Sequence, residues 1–129
     1  MDCLFCNIVN KKIPSSIVYE DDLCTVFMDI FPSTNGHLLL IPKNHYENIF
    51  DVDLDFINHS FKLLKEHLYP LLKKKLNIEG LTIMENNFYG QEIKHFHIHL
   101  IPRYKDDEFN ISSNKEILLK TDTVFKTLL

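Results

Sequence analysis

The sequence has no tryptophan and only three glycines. No apolar run reaches the roughly 18 residues that a membrane-spanning helix needs. The first residues show no basic segment followed by a long apolar stretch, so we expect no secretory signal peptide and predict a cytoplasmic protein. There are three cysteines, an odd number that favours metal ligands or free thiols over disulfides in a reducing compartment.

Positive charge is also scarce, since 14 basic residues face 18 acidic ones and the net charge is −4. A general nucleic-acid binder would more often be basic, so we expect no nucleic-acid partner. The 129 residues are 45% hydrophobic, which is enough to bury a core and argues against disorder. No internal repeat or linker divides the chain, and we predict a single domain over residues 1–129.

Short apolar runs alternate with turn residues and predict several β-strands. These strands are expected at residues 17–20, 23–28, 37–41, 81–84 and 94–101, with Pro102 ending the last one. From Ile57 to Leu76 the apolar residues recur every three or four positions, which predicts a helix over 52–76 that Pro70 should kink or split. Asn77 and Gly80 are expected to close this helix.

The tail, residues 104–129, has Ile117, Thr121, Phe125 and Leu128 at helical spacing and predicts a C-terminal helix. One long helix among several strands indicates the α+β class. We therefore predict an antiparallel sheet with the long helix and the C-terminal helix packed on it.

Seven histidines occur in the chain, and three of them alternate with apolar residues in the last predicted strand. Side chains of a strand alternate between its two faces, so His95, His97 and His99 should share one face at spacings of roughly 6–7 Å. Three neighbouring imidazoles suit a metal or an anion. A simple three-histidine metal site is a rival interpretation, but positions in line on one strand converge poorly on a tetrahedral ion, whereas two of them can bind one metal.

The run His-Phe-His-Ile-His-Leu-Ile at residues 95–101 resembles the signature of the histidine triad (HIT) family, and in particular its zinc-containing bacterial-type branch. Further segments agree with the family in order and spacing: Cys3-Leu4-Phe5-Cys6, Tyr19-Glu20-Asp21, Asp29-Ile30 with Pro32, and residues 36–45, 90–93 and 101–103. The resemblance covers residues 3–103 and leaves the tail at 104–129 without a motif. It implies a HIT-like fold and a nucleotide as the small-molecule substrate.

The resemblance also implies chemistry at the histidines. Members of the family are nucleotidyl hydrolases or transferases whose middle triad histidine, here His97, attacks the α-phosphorus and forms a covalent nucleotidyl intermediate. A neutral imidazole is available near neutral pH, which agrees with that role. His99 and His37 match the positions that contact the α-phosphate, where imidazoles offset the charge that builds on the phosphoryl oxygens.

Substrate contacts are likewise implied by matching positions. Asp29 corresponds to a carboxylate that holds the ribose hydroxyls, and Ile30 to an apolar residue of the nucleoside pocket. Gln91 and Glu92 lie where the family contacts the phosphate or the leaving group. The preceding loop is about two residues shorter than the common pattern and has Phe88-Tyr89 where small residues are frequent. Either of two asparagines in that loop could contact the phosphate, namely Asn86 or Asn87.

The Cys-x-x-Cys at residues 3–6 has three interpretations on its own: a redox pair, two incidental thiols, or half of a metal site. Several relatives hold a structural zinc with this pair, the histidine of Ile-Pro-Lys-x-His and the first triad histidine. All four positions are filled here, by Cys3, Cys6, His45 and His95. The resemblance therefore implies a closed, structural Zn²⁺ site. Cys24 is most simply a core thiol.

Three functions remain open from the sequence. The first is hydrolysis of a purine nucleoside 5′-phosphoramidate or related mononucleotide. The second is hydrolysis of a dinucleoside polyphosphate by the same nucleophile, and the third is regulatory nucleotide binding with little turnover. A pure binder has no need of His97, which disfavours the third. The family usually pairs two protomers, so we also expect a homodimer.

Overall fold

The computed structural model describes residues 2–129 and has the predicted α+β architecture. Within this range, five strands form one sheet in the order β1-β2-β3-β5-β4, and every neighbouring pair is antiparallel. The strands are β1 Ile17–Glu20, β2 Cys24–Met28, β3 Leu38–Pro42, β4 Gly80–Met84 and β5 Ile98–Arg103. The sequence therefore predicted all five strands, within a few residues at their ends.

The helical elements follow in chain order. They are α1 Leu4–Val9, α2 Leu54–Leu63, a π-helical segment Leu64–Leu68, α3 Tyr69–Leu76, a 3₁₀ turn Lys115–Ile117 and α4 Thr121–Leu128. The sequence missed α1, because six residues are too few to show a helical period. Its first turn is closed by Cys3, whose Sγ accepts a hydrogen bond from the Cys6 N–H at 3.4 Å.

The predicted helix over 52–76 is confirmed, and the structure shows how it accommodates Pro70. A proline inside a helix lacks the N–H and crowds the carbonyl four residues before it. The chain widens into a π turn at this place, where the Tyr69 N–H donates to the Leu64 carbonyl. The helix then ends at Asn77 in a left-handed conformation, φ 52°. Gly80, expected to help close the helix, instead begins β4.

Two apolar clusters cover the two faces of the sheet. Alternate residues of β3 divide between them, with Leu38 and Leu40 in one and Leu39 and Ile41 in the other. The larger cluster packs under α2 and α3 and includes three alternating residues, Phe96 just before β5 and Ile98 and Leu100 within it. The smaller cluster packs under α1: Phe5, Ile8, Phe27, Leu39 and Ile41. The predicted alternation of residues 95–100 is confirmed, since the apolar residues face the larger core.

The start of the last strand was predicted too early. The ladder begins at Ile98 and not at residue 94. Just before it, the Phe96 N–H donates at 2.7 Å to the carbonyl of Tyr46, in the loop that follows β3. The backbone of residues 94–97 therefore lies outside the ladder, although its side chains still alternate.

The end of the same strand was predicted too early. Pro102 does not end β5, which continues to Arg103. The pairing with β3 stops at Leu100, so Pro102 pairs only with β4, where its partner is Leu81. A proline is tolerated here because one side of the strand has no neighbouring strand, so the absent N–H costs no hydrogen bond of the ladder on that side.

The predicted C-terminal helix forms, as α4, but it does not pack on the sheet. Every residue from 110 to 129 is exposed, including Phe125 at 56% and Leu128 at 80%. The expected packing is therefore corrected: α4 leaves its apolar residues uncovered within the chain. Helical spacing predicts which side of a helix is apolar and carries no information about what covers it.

Asp21 joins the β1–β2 turn to α2. Its Oδ1 accepts from the N–H groups of Leu23 and Cys24 at 2.8 and 2.9 Å, and its Oδ2 accepts from the Tyr19 hydroxyl at 2.8 Å and lies 2.7 Å from His59 Nε2. Burial by itself raises the pKa of Asp21, but these hydrogen bonds outweigh it and hold the pKa well below its usual range.

We expect Asp21→Asn to lower the free energy of unfolding by roughly 1–3 kcal/mol at neutral pH. A carboxyl with a depressed folded pKa stabilises the fold above its unfolded pKa of about 3.9, and that stability is lost as the pH falls through the lower folded pKa. Urea unfolding at neutral pH and near pH 3 should therefore show the gap between variant and wild type shrinking in acid. Asp22→Asn, at the exposed neighbouring position, is the control. A gap of the same size at both pH values would contradict the assignment.

Candidate active site and metal centre

The three triad imidazoles meet on the face of the sheet that carries α1. His95 is fully buried and His97 is 6% exposed, and both contact the ring of Phe5 in α1. The rings of His97 and His99 lie 5.0 Å apart. The apolar side chains that alternate with these histidines are buried on the opposite face, so all three imidazoles lie on the same side of the backbone.

Four predicted metal ligands converge beside α1. The Sγ atoms of Cys3 and Cys6 and the Nδ1 atoms of His45 and His95 all lie within 4.8 Å of one another. His95 Nδ1 is 3.4 Å from Cys3 Sγ, 3.6 Å from Cys6 Sγ and 3.1 Å from His45 Nδ1. The structure thus brings together residues separated by up to 92 positions in the chain.

This arrangement fits a tetrahedral zinc ion. Bonds of 2.0–2.3 Å imply ligand–ligand distances of about 3.3–3.8 Å, close to those observed. His95 Nε2 lies 2.9 Å from the Pro42 carbonyl and must donate to it, which leaves the Nδ1 lone pair for a metal. Burial and the neighbouring Cys3 thiol raise the pKa of Cys6 to about 11, because burial disfavours the charged thiolate and Cys3 lies beside it as a second sulfur. A divalent cation beside the two sulfur atoms would favour the thiolate form and lower this pKa again, so the donor set suits the ion.

His97 is held as a neutral imidazole with a defined tautomer. Its Nδ1 lies 2.8 Å from the backbone carbonyl of His95, and only a donating N–H satisfies that contact. The Nε2 atom therefore carries the lone pair. Burial lowers the pKa of His97 below its ordinary value, which keeps this lone pair free of a proton near neutral pH. The ring meets the requirement for a nucleophile.

A hydrogen-bonded chain of two imidazoles, those of His37 and His99, lies next to His97. The Ser33 N–H donates at 3.0 Å to His37 Nδ1, so His37 carries its proton on Nε2. That Nε2–H lies 2.9 Å from His99 Nδ1, which must accept it. In its neutral form His99 therefore has its own proton on Nε2. Burial and the neighbouring imidazoles of His97 and His37 lower the pKa of His99 to about 4. One N–H donor is left beside the nucleophile.

Asp29 lies at the edge of this imidazole chain. Its Oδ2 is 3.5 Å from His37 Nε2, and its Oδ1 accepts from the Phe31 N–H at 2.9 Å. Burial lowers the pKa of His37, and the charge of Asp29 offsets only part of this effect. Ile30, the next residue, is 80% exposed. The structure therefore places one carboxylate and one open apolar side chain beside the two phosphate-contact candidates.

The loop that precedes the triad uses several of its predicted contact groups internally. Gln91 is buried, its Nε2 donates to the carbonyls of Glu47 and Ile93, and its Oε1 accepts from the Phe88 N–H. Asn87 accepts from the Ile49 N–H. The amides of these two residues shape the loop. A direct contact between Gln91 or Asn87 and substrate requires these bonds to break.

The other two candidates of this loop remain open to a ligand. Asn86 follows the end of β4, where Met84 pairs with His99, so it lies at the level of the triad. Glu92 is exposed, and its carboxylate is close enough to act electrostatically on His97.

Two further groups of the site were not predicted from the sequence, namely the backbone N–H of Ser33 and the ring of Phe5. Neither has a sequence signal, since a backbone donor has no side-chain identity and Phe5 is one of ten phenylalanines.

Comparison with known proteins agrees with this geometry. The HIT domain model matches residues 10–106. The chain belongs to the HIT domain family. A HIT-like protein of Borreliella burgdorferi, itself uncharacterised, is 40% identical over 98% of this chain and 93% of its own length.

Two further relatives bear on the chemistry of this HIT protein. The adenosine 5′-monophosphoramidase of Saccharomyces cerevisiae is 33% identical over 78% of this chain and 62% of its own length. The crystal structure of a zinc-bound histidine triad family protein from Mycobacterium smegmatis superimposes with a TM-score of 0.79 at 28% identity, covering 89% of this chain and 84% of that one. The predicted fold class is thereby confirmed.

Proposed function

We propose that this HIT protein hydrolyses a purine nucleoside 5′-phosphoramidate, or a related mononucleotide, at the α-phosphorus through a covalent nucleotidyl–His97 intermediate. The observation that carries the proposal is the pairing of two fixed tautomers. His97 has a free Nε2 lone pair, and His99, 5.0 Å away between ring centres, has a free Nε2–H. A nucleophile and a phosphoryl-oxygen donor are thus adjacent and pre-oriented.

The proposed reaction has two displacements at phosphorus. In the first, His97 Nε2 forms a P–N bond, and the bond from phosphorus to the leaving amine breaks. The amine departs with that electron pair and takes a proton from water. In the second, a water molecule attacks phosphorus and gives its proton to solvent, the P–N bond to His97 breaks with its electron pair returning to Nε2, and the nucleoside monophosphate is released. The His99 Nε2–H stabilises the charge that develops on a phosphoryl oxygen in both steps.

The leaving-group side favours an amine over a further phosphate. The carboxylates of Glu85 and Glu92 both act on His97 electrostatically. A polyphosphate leaving group would bring additional negative charge towards these residues, whereas an amine does not. The name of the yeast relative, an adenosine 5′-monophosphoramidase, supports the same choice. The dinucleoside polyphosphate alternative has no comparable support from the site.

The nucleoside end of the substrate is proposed to lie at Asp29 and Ile30. Asp29 supplies acceptor oxygens for the ribose hydroxyls, and the exposed Ile30 covers one face of the base. On the phosphate side, we assign the contact to Asn86, because the amide of Asn87 is already bonded to the Ile49 N–H. Glu92 is placed beside the leaving amine. Gln91 contributes by holding this loop in position.

We expect His97→Ala to reduce hydrolysis of adenosine 5′-phosphoramidate by roughly 10³-fold or more, because no other group supplies the attacking lone pair. Binding of AMP should change little, since affinity comes from ribose, base and phosphate contacts. Rapid alkaline quench with labelled substrate should detect nucleotidylated wild-type protein and none in the variant, because the P–N bond to an imidazole survives in base and hydrolyses in acid. His67→Ala, at an exposed histidine outside the site, is the control. A labelled His97→Ala protein would show that a different residue attacks.

Asp29→Ala should weaken binding of ribonucleotides by roughly 1.5–3 kcal/mol, since it removes a charge-assisted hydrogen bond to the sugar. Calorimetric titration with AMP and with its 2′,3′-dideoxy analogue separates this contact from a loss of structure. The dideoxy nucleotide lacks the partner hydroxyls, so its affinity should hardly respond to the substitution. Equal losses for both sugars would make Asp29 a turn residue that supports Phe31 and His37.

A structural zinc ion is proposed for the cluster of Cys3, Cys6, His45 and His95. All four positions are protein ligands, so no open position remains for a substrate or water. When bound, the ion ties the start of α1 to the segment that leads into β5. His97 and His99 belong to no part of this cluster. The zinc-bound mycobacterial relative supports the choice of metal.

We expect one zinc per chain in protein purified without chelator or metal-affinity tag. The double variant Cys3→Ser, Cys6→Ser should lose the metal and melt at a lower temperature, because two thiolate ligands are gone. Cys24→Ser is the matched control, since Cys24 is buried outside the cluster and should leave the zinc content unchanged. Elemental analysis and thermal unfolding measure both effects. Metal-free wild type with unchanged melting of the double variant would contradict the site.

The protein is further proposed to be a homodimer. Strand β4 lies at one edge of the sheet, and its Ile83 is 44% exposed; on α2, Leu54 and Phe61 are also open. An unpaired edge strand that carries an exposed apolar side chain is suited to pairing with a second copy. None of the helices within residues 2–129 has the length and hydropathy to cross a bilayer. The cytoplasmic location stays a prediction.

Light scattering at micromolar concentration should give twice the chain mass. We expect Ile83→Lys to shift the protein towards the monomer, because it places a charge in the proposed interface. Val18→Lys makes the same change on the opposite edge strand, β1, at a side chain of similar exposure, and should leave the mass unchanged. A wild-type monomer, or equal effects of the two lysines, would contradict this interface.

A further inference from the structure

Phe5 lies between the two cysteines of the metal cluster and contacts the triad. Its ring is 4% exposed, and its centre is 5.8 Å from that of His95 and 5.1 Å from that of His97. The contact with His97 is nearly perpendicular, at 86° between the ring planes. This is the edge-to-face arrangement that two rings adopt at close packing distance. Phe5 thus touches the side chain that carries the reactive lone pair.

The other restraints on His97 do not by themselves fix its ring. The Nδ1–H bond to the His95 carbonyl holds one ring atom, and tilting about that bond moves Nε2. His99 packs against the ring at 66°, but it is a partner in the chemistry and must meet the substrate. Phe5 supplies an apolar wall that makes no bond to the substrate in the proposed reaction.

Phe5 lies near a chain end, but the contacts of α1 hold it in place. Helix α1 has six residues, too few to be stable alone. It is held because Cys3 and Cys6, on either side of Phe5, both lie in the four-residue metal cluster. Ile8, one turn further, is buried in the same apolar cluster as Phe5. Because α1 is held in this way, the ring of Phe5 is held too, and it in turn restrains the ring of His97.

We propose that Phe5 is a positioning residue for the nucleophile, which holds the His97 ring so that Nε2 faces the α-phosphorus. The inference rests on the proposed role of His97. Phe5 does not touch the reacting atoms, so its substitution should slow formation of the nucleotidyl–His97 bond and leave nucleotide affinity nearly unchanged. A misplacement of an ångström in a reacting atom costs about a hundredfold in rate, which sets the size of the expected effect.

The chain offers a matched control for loss of aromatic packing. Phe27 is 3% exposed and belongs to the same apolar cluster. Among the ring–ring contacts of residues 2–129, Phe27 pairs with Phe5 and with neither His95 nor His97. Phe5→Leu and Phe27→Leu remove similar buried volume from one cluster, so a general loosening of the core should affect both proteins alike. Only Phe5→Leu removes the wall against the nucleophile.

The test measures the single-turnover rate of His97 nucleotidylation, the dissociation constant for AMP, zinc content and melting temperature in both variants. Phe5→Leu should lower the rate by about ten- to a hundredfold with little change in AMP affinity. Phe27→Leu should keep the rate within about threefold at a similar loss of stability. In proton NMR, the hydrogen-bonded Nδ1–H of His97 should remain visible in Phe27→Leu and broaden or vanish in Phe5→Leu.

The outcomes separate this inference from the proposed function. Wild-type protein that forms no nucleotidyl–histidine would refute the role of His97. An active wild type in which both leucine variants lose the same rate and keep the same Nδ1–H signal would refute the role of Phe5 alone. If Phe5→Leu does not fold, Phe5→Met, a flexible apolar side chain of similar volume to leucine that can adapt to the gap but has no flat ring, takes its place. A Phe5→Met protein with the wild-type rate would likewise overturn the inference.

Discussion

The site depends on one alternation, in which the backbone from residue 95 to residue 100 sends apolar side chains to one face and imidazoles to the other. Phe96, Ile98 and Leu100 are almost completely buried in the larger core. Full burial of such side chains contributes about 1.5–3 kcal/mol each. A slip of one residue would place three imidazoles in that core and three apolar side chains in the site. The hydrophobic core therefore fixes where the imidazoles point.

Hydrogen bonds then decide what each imidazole can do. His95 uses Nε2 to donate to the Pro42 carbonyl, which turns its Nδ1 lone pair towards the two cysteines. His97 does the reverse, since its Nδ1 donates to the backbone and Nε2 is left free. His99 accepts from His37 and keeps an N–H to offer. Three residues of one type, two positions apart, are thus a metal-ligand candidate, a nucleophile candidate and a donor because their partners differ.

Burial makes this assignment stable near neutral pH. It lowers the pKa of His37, His97 and His99, and each of these rings is therefore neutral in the free protein. A neutral ring is one donor and one acceptor, so the chain from Ser33 through His37 to His99 has a single direction. Protonation of any member would place two donors against each other. Binding of an anionic phosphate next to His99 would oppose the effect of burial, because negative charge favours the protonated imidazole.

The sequence by itself determined the five strands, the long helix with its interruption near Pro70, and the alternation at residues 95–100. These features are periodic or depend on neighbours in the chain, and the resemblance to the HIT family rests on the same local motifs. The tertiary structure decided what depends on distant partners. The ladder starts only at Ile98 because Phe96 bonds to Tyr46, and α4 stays uncovered although its spacing is helical. The tautomers depend on carbonyls and imidazoles that lie far away in the chain, and Phe5 meets His97 across 92 residues. Side-chain identity shows which groups are available, whereas only packing shows which of their atoms are already bonded.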